Sequence, residues 1–285
     1  MPELPEVESA RKVIEKAALQ RTIADVDDTD TFECRPHHPG EIRDALVGRE
    51  LTAALRRGKS MWCETSGLTD DDGPGPRLGV HLGMSGRILV APPVDADGDS
   101  SRSGPVREGG DYVGSRPRRG GRPPKDVWFR FTLWFEDGGS MRLLDTRRLG
   151  RVRLEPDIDA LGPDAAEITR AQFRASIGKG RAPLKARLLD QSKIAGIGNL
   201  LADEVLWQSH LSPQRPCGEL TTDELDDLRR HLRASTRTAI RKGGVHTGEI
   251  VRHRRHDGHC PRCGAEMVRA TVGGRTTWWC PQEQV

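Results

Sequence analysis

Hydrophobic periodicity changes along this chain, and the changes divide it. From Thr22 to about Arg153, short apolar runs are broken by Gly, Asp and Pro, the signature of strands. The run from Val127 to Phe135 puts Val127, Phe129, Phe131, Leu133 and Phe135 on one face, and Asp137-Gly138-Gly139 turns it. Ahead of the strands, Pro5 to Gln20 carries Val7, Ala10, Val13, Ile14 and Ala17 at helical spacing. From Leu161 to Lys242 the pattern is helical again. There Thr221 and Glu224 fit a capping box, and Gly243-Gly244 fits a helix end. Beyond Cys260 lie two cysteine-bearing turns. The expected architecture is α+β, with an N-terminal helix and β-rich domain over 1–155, a helical domain over 156–244 and a terminal hairpin over 245–285. Residues 91–125 are rich in Gly, Pro, Ser, Asp and Arg, a composition that buries no core, and are expected to form a mobile insertion.

Composition narrows the class. Apolar residues make up 35% of the 285 and charged residues 31%, and no run approaches the roughly 18 apolar residues of a membrane span. The acidic N-terminus has no signal-peptide apolar stretch, so the cytoplasm is the expected compartment. A net charge of +3 identifies no partner, but its distribution is informative. From Arg241 to Val285 there are eight Lys/Arg against four Asp/Glu, and clustered cations attract phosphate backbones. Of the six cysteines, Cys34, Cys63 and Cys217 are scattered and read as packing thiols. Cys260, Cys263 and Cys280 are grouped, which in a reducing compartment favours metal over disulfide.

The opening Met1-Pro2-Glu3-Leu4-Pro5-Glu6-Val7-Glu8 is compatible with an ordinary helix start. It also allows chemistry. Once Met1 is removed, Pro2 carries a free secondary amine, and its condensation with an aldehyde gives a permanently charged iminium, a strong electron sink. An α-amino group titrates near pH 8, so part of it is nucleophilic at neutral pH. Glu3 adjoins it as a proton donor or acceptor.

This segment resembles the N-terminus of the formamidopyrimidine-DNA glycosylase / endonuclease VIII family. The resemblance recurs at Lys59, at Asp145-Thr146-Arg147-Arg148, along Leu188 to Pro213 and from Cys260 to Gln284. It implies a β-sandwich after the N-terminal helix, a helix-two-turn-helix domain and a zinc-ribbon-like hairpin. It implies a monomeric, nucleoid-associated base-excision-repair enzyme that acts on damaged double-stranded DNA, needs no membrane, and joins glycosylase to abasic-site lyase activity. Two rivals share the scaffold: a non-catalytic binder of damaged DNA, and a glycosylase specialised for one bulky adduct.

The resemblance also assigns residues. Pro2, Glu3, Glu6 and Lys59 fall at the catalytic positions. His81 and Met84, in His81-Leu82-Gly83-Met84-Ser85-Gly86, match the segment whose methionine fills the gap left by an everted base. Arg147 and Arg148 match an arginine pair that reaches the orphaned base and phosphate. Leu149 stands where the formamidopyrimidine type carries Phe, so it wedges by volume without stacking. Lys185, Gly198 and Asn199 match phosphate-binding positions, and Leu201 replaces a tyrosine. Arg275 matches the hairpin's minor-groove arginine. Cys260, Cys263, Cys280 and Glu283 have the spacing of a zinc hairpin, with Glu283 in place of the fourth cysteine. Glu283 or His259 completes the zinc site, or the ribbon packs without metal. Only 15 residues separate Gly244 from Cys260, too few for the loop that closes over an oxidised purine, which tilts the substrate away from 8-oxoguanine.

Overall fold

The computed structural model describes residues 2–69, 71–94, 104–111 and 124–285. The chain divides into two compact units: Pro2 with Glu6–Ile158, and Glu3–Pro5 with Asp159–Val285.

The first unit is a sandwich of two antiparallel sheets. One is five-stranded, formed by β1 (Ile23–Asp27), β7 (Phe129–Phe135), β8 (Ser140–Leu144), β5 (Arg87–Ala91) and β6 (Arg107–Gly110), in that order. The other is four-stranded, with β2 (Leu51–Arg57), β3 (Ser60–Thr65), β4 (Leu78–His81) and β9 (Arg151–Leu154). Period-two alternation gives each sheet an apolar face, and the two faces share one core: Phe131, Leu133, Met141 and Ile88 from one, Leu51, Met61, Val80 and Val152 from the other. Helix α1 (Leu4–Ala17) adds Val7, Ala10 and Ile14 to this core, as its spacing predicts, and α2 (Glu41–Leu46) adds Ile42 and Leu46.

Two expectations need correction. Val127 does not join the strand; Asp126–Trp128 forms a 3₁₀ turn that leaves Val127 64% exposed, and a bulge follows between Phe129 and Phe131. The stretch 91–125 is not wholly a loop, because Arg107–Gly110 pairs along β5 with Gly109 and Gly110 buried. Gly109 lies against the α1 backbone at Ser9 and Ala10, an approach that a side chain would block. Residues 95–103 and 112–123 of that stretch lie outside the described residues.

The second unit is helical: α3 (Arg170–Ile177), α4 (Leu184–Leu189), α5 (Asn199–Gln208) and α6 (Thr222–Lys242). Leu184, Leu188, Val205, Leu206, Leu228 and Leu232 form its core. Thr221 and Glu224 make the expected reciprocal capping box, and Gly243 ends α6 in the left-handed conformation. Strands β10 (Val268–Val272) and β11 (Arg275–Trp279) form the terminal hairpin around Gly273-Gly274, and Trp207, Ile250, Met267 and Trp278 pack with Cys260 and Cys280 beneath it. Among the described residues, no helix is long and apolar enough to cross a membrane.

Candidate functional site

Glu3 is the most strongly held of the candidate catalytic groups. It is fully buried, and its carboxylate accepts from the backbone N–H groups of Gly198 (3.0 Å), Leu200 (2.8 Å) and Leu201 (3.0 Å). These are donors that the start of α5 leaves without intrahelical partners, at the positive end of the helix dipole. The neighbouring Leu4 N–H donates to Gly196 O at 3.2 Å. Any side chain at Gly198 would run into the Glu3 carboxylate, so the glycine is needed for the approach. The two-turn segment thus receives a carboxylate from the far end of the chain.

In the first unit, Pro2 and Glu6 are buried. Lys59 and Gly58 form the two-residue turn between β2 and β3, closed by the Arg57–Ser60 pair, with Gly58 at φ 62°. His81 pairs with Ser60 one residue along and accepts from the Gly83 N–H at 3.0 Å through Nδ1, so its proton sits on Nε2. Burial, then the charges of Lys59 and Arg153, hold His81 below its ordinary value.

The loops carrying Met84 and Arg147–Leu149 are knitted by Asp145. Its fully buried carboxylate accepts from Ser85 Oγ (2.5 Å) and from the N–H groups of Arg147 (3.0 Å), Leu149 (2.8 Å) and Gly150 (2.8 Å). Met84 and Leu149 are exposed. Arg148 takes a left-handed conformation (φ 57°) and donates through Nε to Asp30 at 2.8 Å.

Lys185 is not where the sequence places it. It is fully buried and paired with Asp203 at 2.5 Å, and it donates to Thr277 Oγ1 at 2.8 Å. Arg254 takes the other Asp203 oxygen at 2.7 Å. Burial lowers the Lys185 pKa against the pull of Asp203. This cluster fastens α4 and α5 to the hairpin and offers no free ammonium to phosphate. Asn199, half-buried, donates to Thr276 O at 3.0 Å, and Arg275 is exposed at the start of β11. Asp203 and Arg254 were missed from sequence; the available signal was an acid inside the apolar run Leu200 to Trp207.

Cys260, Cys263 and Cys280 converge, with their sulfurs within 4.8 Å of one another. Burial opposes ionisation at Cys260, but N–H donors of Cys263 and Arg262 and the Trp207 indole outweigh it and hold the thiol below its ordinary value. These thiols suit a soft divalent ion. Glu283 is not in the group; its carboxylate pairs with His210 at 3.2 Å. His259 instead faces Asp257 O at 3.1 Å.

Comparison with known proteins agrees with this geometry. The Formamidopyrimidine-DNA glycosylase N-terminal domain matches residues 1–152, and the Formamidopyrimidine-DNA glycosylase H2TH domain matches 160–249. A formamidopyrimidine-DNA glycosylase of Chloroflexus aggregans is 32% identical across 100% of this chain and 99% of its own length. That of Streptomyces coelicolor is 29% identical across 100% of this chain and 98% of its own. Lactococcus lactis Fpg bound to DNA containing an oxidised pyrimidine superposes with TM-score 0.77 at 26% identity, covering 99% of each chain. The same enzyme has been solved with DNA containing N7-benzyl-Fapy-dG, at TM-score 0.77 and 25% identity. Fold and site together define a DNA-repair glycosylase. The chain belongs to the formamidopyrimidine-DNA glycosylase family.

Proposed function

We propose that this chain excises damaged bases from double-stranded DNA and then cleaves the strand at the resulting abasic site, in three parts over 1–155, 156–244 and 245–285. The observation that carries this reading is the seating of Glu3, next to Pro2 in sequence, on the α5 amides. After removal of Met1, the Pro2 nitrogen attacks C1′ of an everted nucleotide. The C1′–base bond breaks and the base leaves with the bonding electrons. Glu3 takes the proton released from the amine and delivers it to the sugar ring oxygen as the ring opens. The resulting iminium acidifies C2′–H; loss of that proton expels the 3′ phosphate, and a second elimination expels the 5′ phosphate. Glu6 supports the amine, and Lys59 and the Nε2–H of His81 hold phosphate beside the lesion. Met84 and Leu149 fill the gap, Arg147 and Arg148 contact the opposite strand and its backbone, and Asn199 and Arg275 hold flanking phosphates, while Gly198, expected at a phosphate, spends its N–H on Glu3. The enzyme acts as a cytoplasmic, nucleoid-associated monomer.

Zinc fits the three converging thiols, and Glu283 becomes the fourth ligand by exchanging its His210 partner. The ion supplies a structural cross-link when bound. The functional test is borohydride trapping on abasic-site DNA. Wild type should form a covalent adduct, Pro2→Gly should trap poorly, and Glu3→Gln should lose excision while retaining some cleavage at preformed abasic sites. Full activity with Met1 retained, by intact mass, would refute the role of Pro2.

A further inference from the structure

One exposed aromatic on the first unit is unexplained by its core. Phe32 is 42% exposed, although its neighbours Glu33 and Cys34 are fully buried. Its backbone is pinned: Phe32 N–H and Glu33 N–H both donate to Asp30 Oδ1 at 3.1 Å, and Glu33 O accepts from Val152 N–H at 2.9 Å. The ring is therefore presented outward on a fixed turn. Three guanidiniums gather over it, Arg35 at 4.0 Å, Arg151 at 5.2 Å and Arg148 at 5.6 Å from its centroid.

This turn is tied to the loops that carry the other exposed apolar residues. Asp30 receives Arg148, and Asp145 receives Ser85, Arg147 and Leu149. Gly83, at φ 57°, lies so close to the Leu149 carbonyl that no side chain would fit. Met84 at 37%, Leu149 at 39% and Phe32 at 42% exposure thus stand on three loops fixed by two carboxylates. Eversion of one nucleotide leaves a gap in its strand and an unpaired base facing it. Met and Leu can fill a gap by volume. Of these three residues only Phe32 offers a π face, and cations around a π face suit a base with its phosphates.

We infer that Phe32 stacks on the unpaired base of the complementary strand, making it a positioning residue for base excision. The inference rests on the proposed role of the Met84 and Leu149 loops in the duplex. Arg35, exposed over the ring, moves aside to a phosphate as the base arrives.

The test uses the full chain and two duplexes carrying a tetrahydrofuran abasic analogue, one with adenine opposite and one with a second analogue opposite. Base–aromatic stacking predicts a loss of affinity of roughly tenfold or more for Phe32→Ala on the first duplex, and almost none on the second. Phe32→Trp should restore binding, and Phe32→Leu, which keeps volume but no π face, should not. Equal loss on both duplexes, no loss on either, or rescue by Phe32→Leu overturns the inference. Leu149→Ala and Arg148→Ala run in parallel. If both of these bind as wild type, the reading of the loops themselves fails; if they weaken binding while Phe32→Ala does not, only the role of Phe32 fails.

Discussion

Glu33 lies beneath this platform, and its removal has a calculable consequence. The side chain is fully buried, facing Asp145 at the end of β8, Asp30 and Arg148 from the adjoining loops, and Arg130 on β7. Burial first, then the charges of Asp145 and Asp30, push its carboxyl from 4.5 up to about 8, against the opposing pull of Arg130. The folded protein therefore holds a proton at neutral pH that the unfolded chain has released. Below 4.5 both states are protonated and Glu33 detracts nothing. Between 4.5 and 8 the folded state binds more protons, so stability falls as pH rises, by about 1.4 kcal/mol per unit. By pH 7 the loss reaches about 3 kcal/mol. Glu33→Gln keeps the shape and a donor toward Asp145 but cannot ionise. The melting temperatures of wild type and variant should nearly coincide at pH 5. By pH 7 to 8 the variant should be higher by about 5–10 °C, the range expected for a domain of this size. Thermal melts at fixed scan rate across pH 5 to 8 provide the measurement. A gap that stays constant with pH would refute the reasoning, because it would mean that Glu33 is ionised in the folded protein or already solvated there.

The other predictions concern the second unit. Asp203→Asn removes the anion between Lys185 and Arg254 and leaves buried positive charge, which should destabilise by about 3–5 kcal/mol. Lys185→Met should be much milder, since Arg254 still neutralises Asp203; equal losses in denaturant titrations would contradict the network. Metal analysis should give about one zinc per chain, lost in Cys260→Ala and weakened in Glu283→Ala. DNA-binding protein that contains no zinc after purification without chelators would support a metal-free ribbon instead.

What the sequence reveals here is what is local or periodic. The capping box at Thr221, the stop at Gly243 and the buried stripe of α1 depend on residues a few positions apart, and each forms as read. The converging cysteines are legible because thiols at short, repeated spacing have few other uses. The misses share a different cause. Lys185 lies among residues that look like phosphate ligands, and only its partners at Asp203, Thr277 and Arg254 show that it is enclosed. Asp30 holds Arg148, 118 residues away, and Asp145 holds Ser85, 60 residues away, so neither of these links carries a local signature. Phe32 reads as one apolar residue in a polar turn until Arg148 and Arg151 arrive from β9 and its preceding loop.

The stretch between α6 and the cysteines carries a prediction about substrate choice. It is short, and the structure ties it down. Val245–Thr247 and Val251–His253 form two 3₁₀ turns, Val245 and Ile250 are buried, and Ile250 N–H donates to Glu204 at 3.0 Å. Gly248 sits so close to the same carboxylate that a side chain there would meet it at 2.7 Å. A segment anchored at both apolar residues and at Glu204 has little slack to fold over a base. Selection by hydrogen bonds around a base edge can be large, whereas an open pocket rejects little. The expected order is therefore weak excision of 8-oxoguanine opposite cytosine, and faster action on oxidised pyrimidines, bulky ring-opened purines or abasic sites. Single-turnover rates on duplexes matched in sequence decide it. If 8-oxoguanine opposite cytosine is removed at least as fast as every other lesion, this stretch does not govern selection, and purine recognition must come from side chains elsewhere in the site.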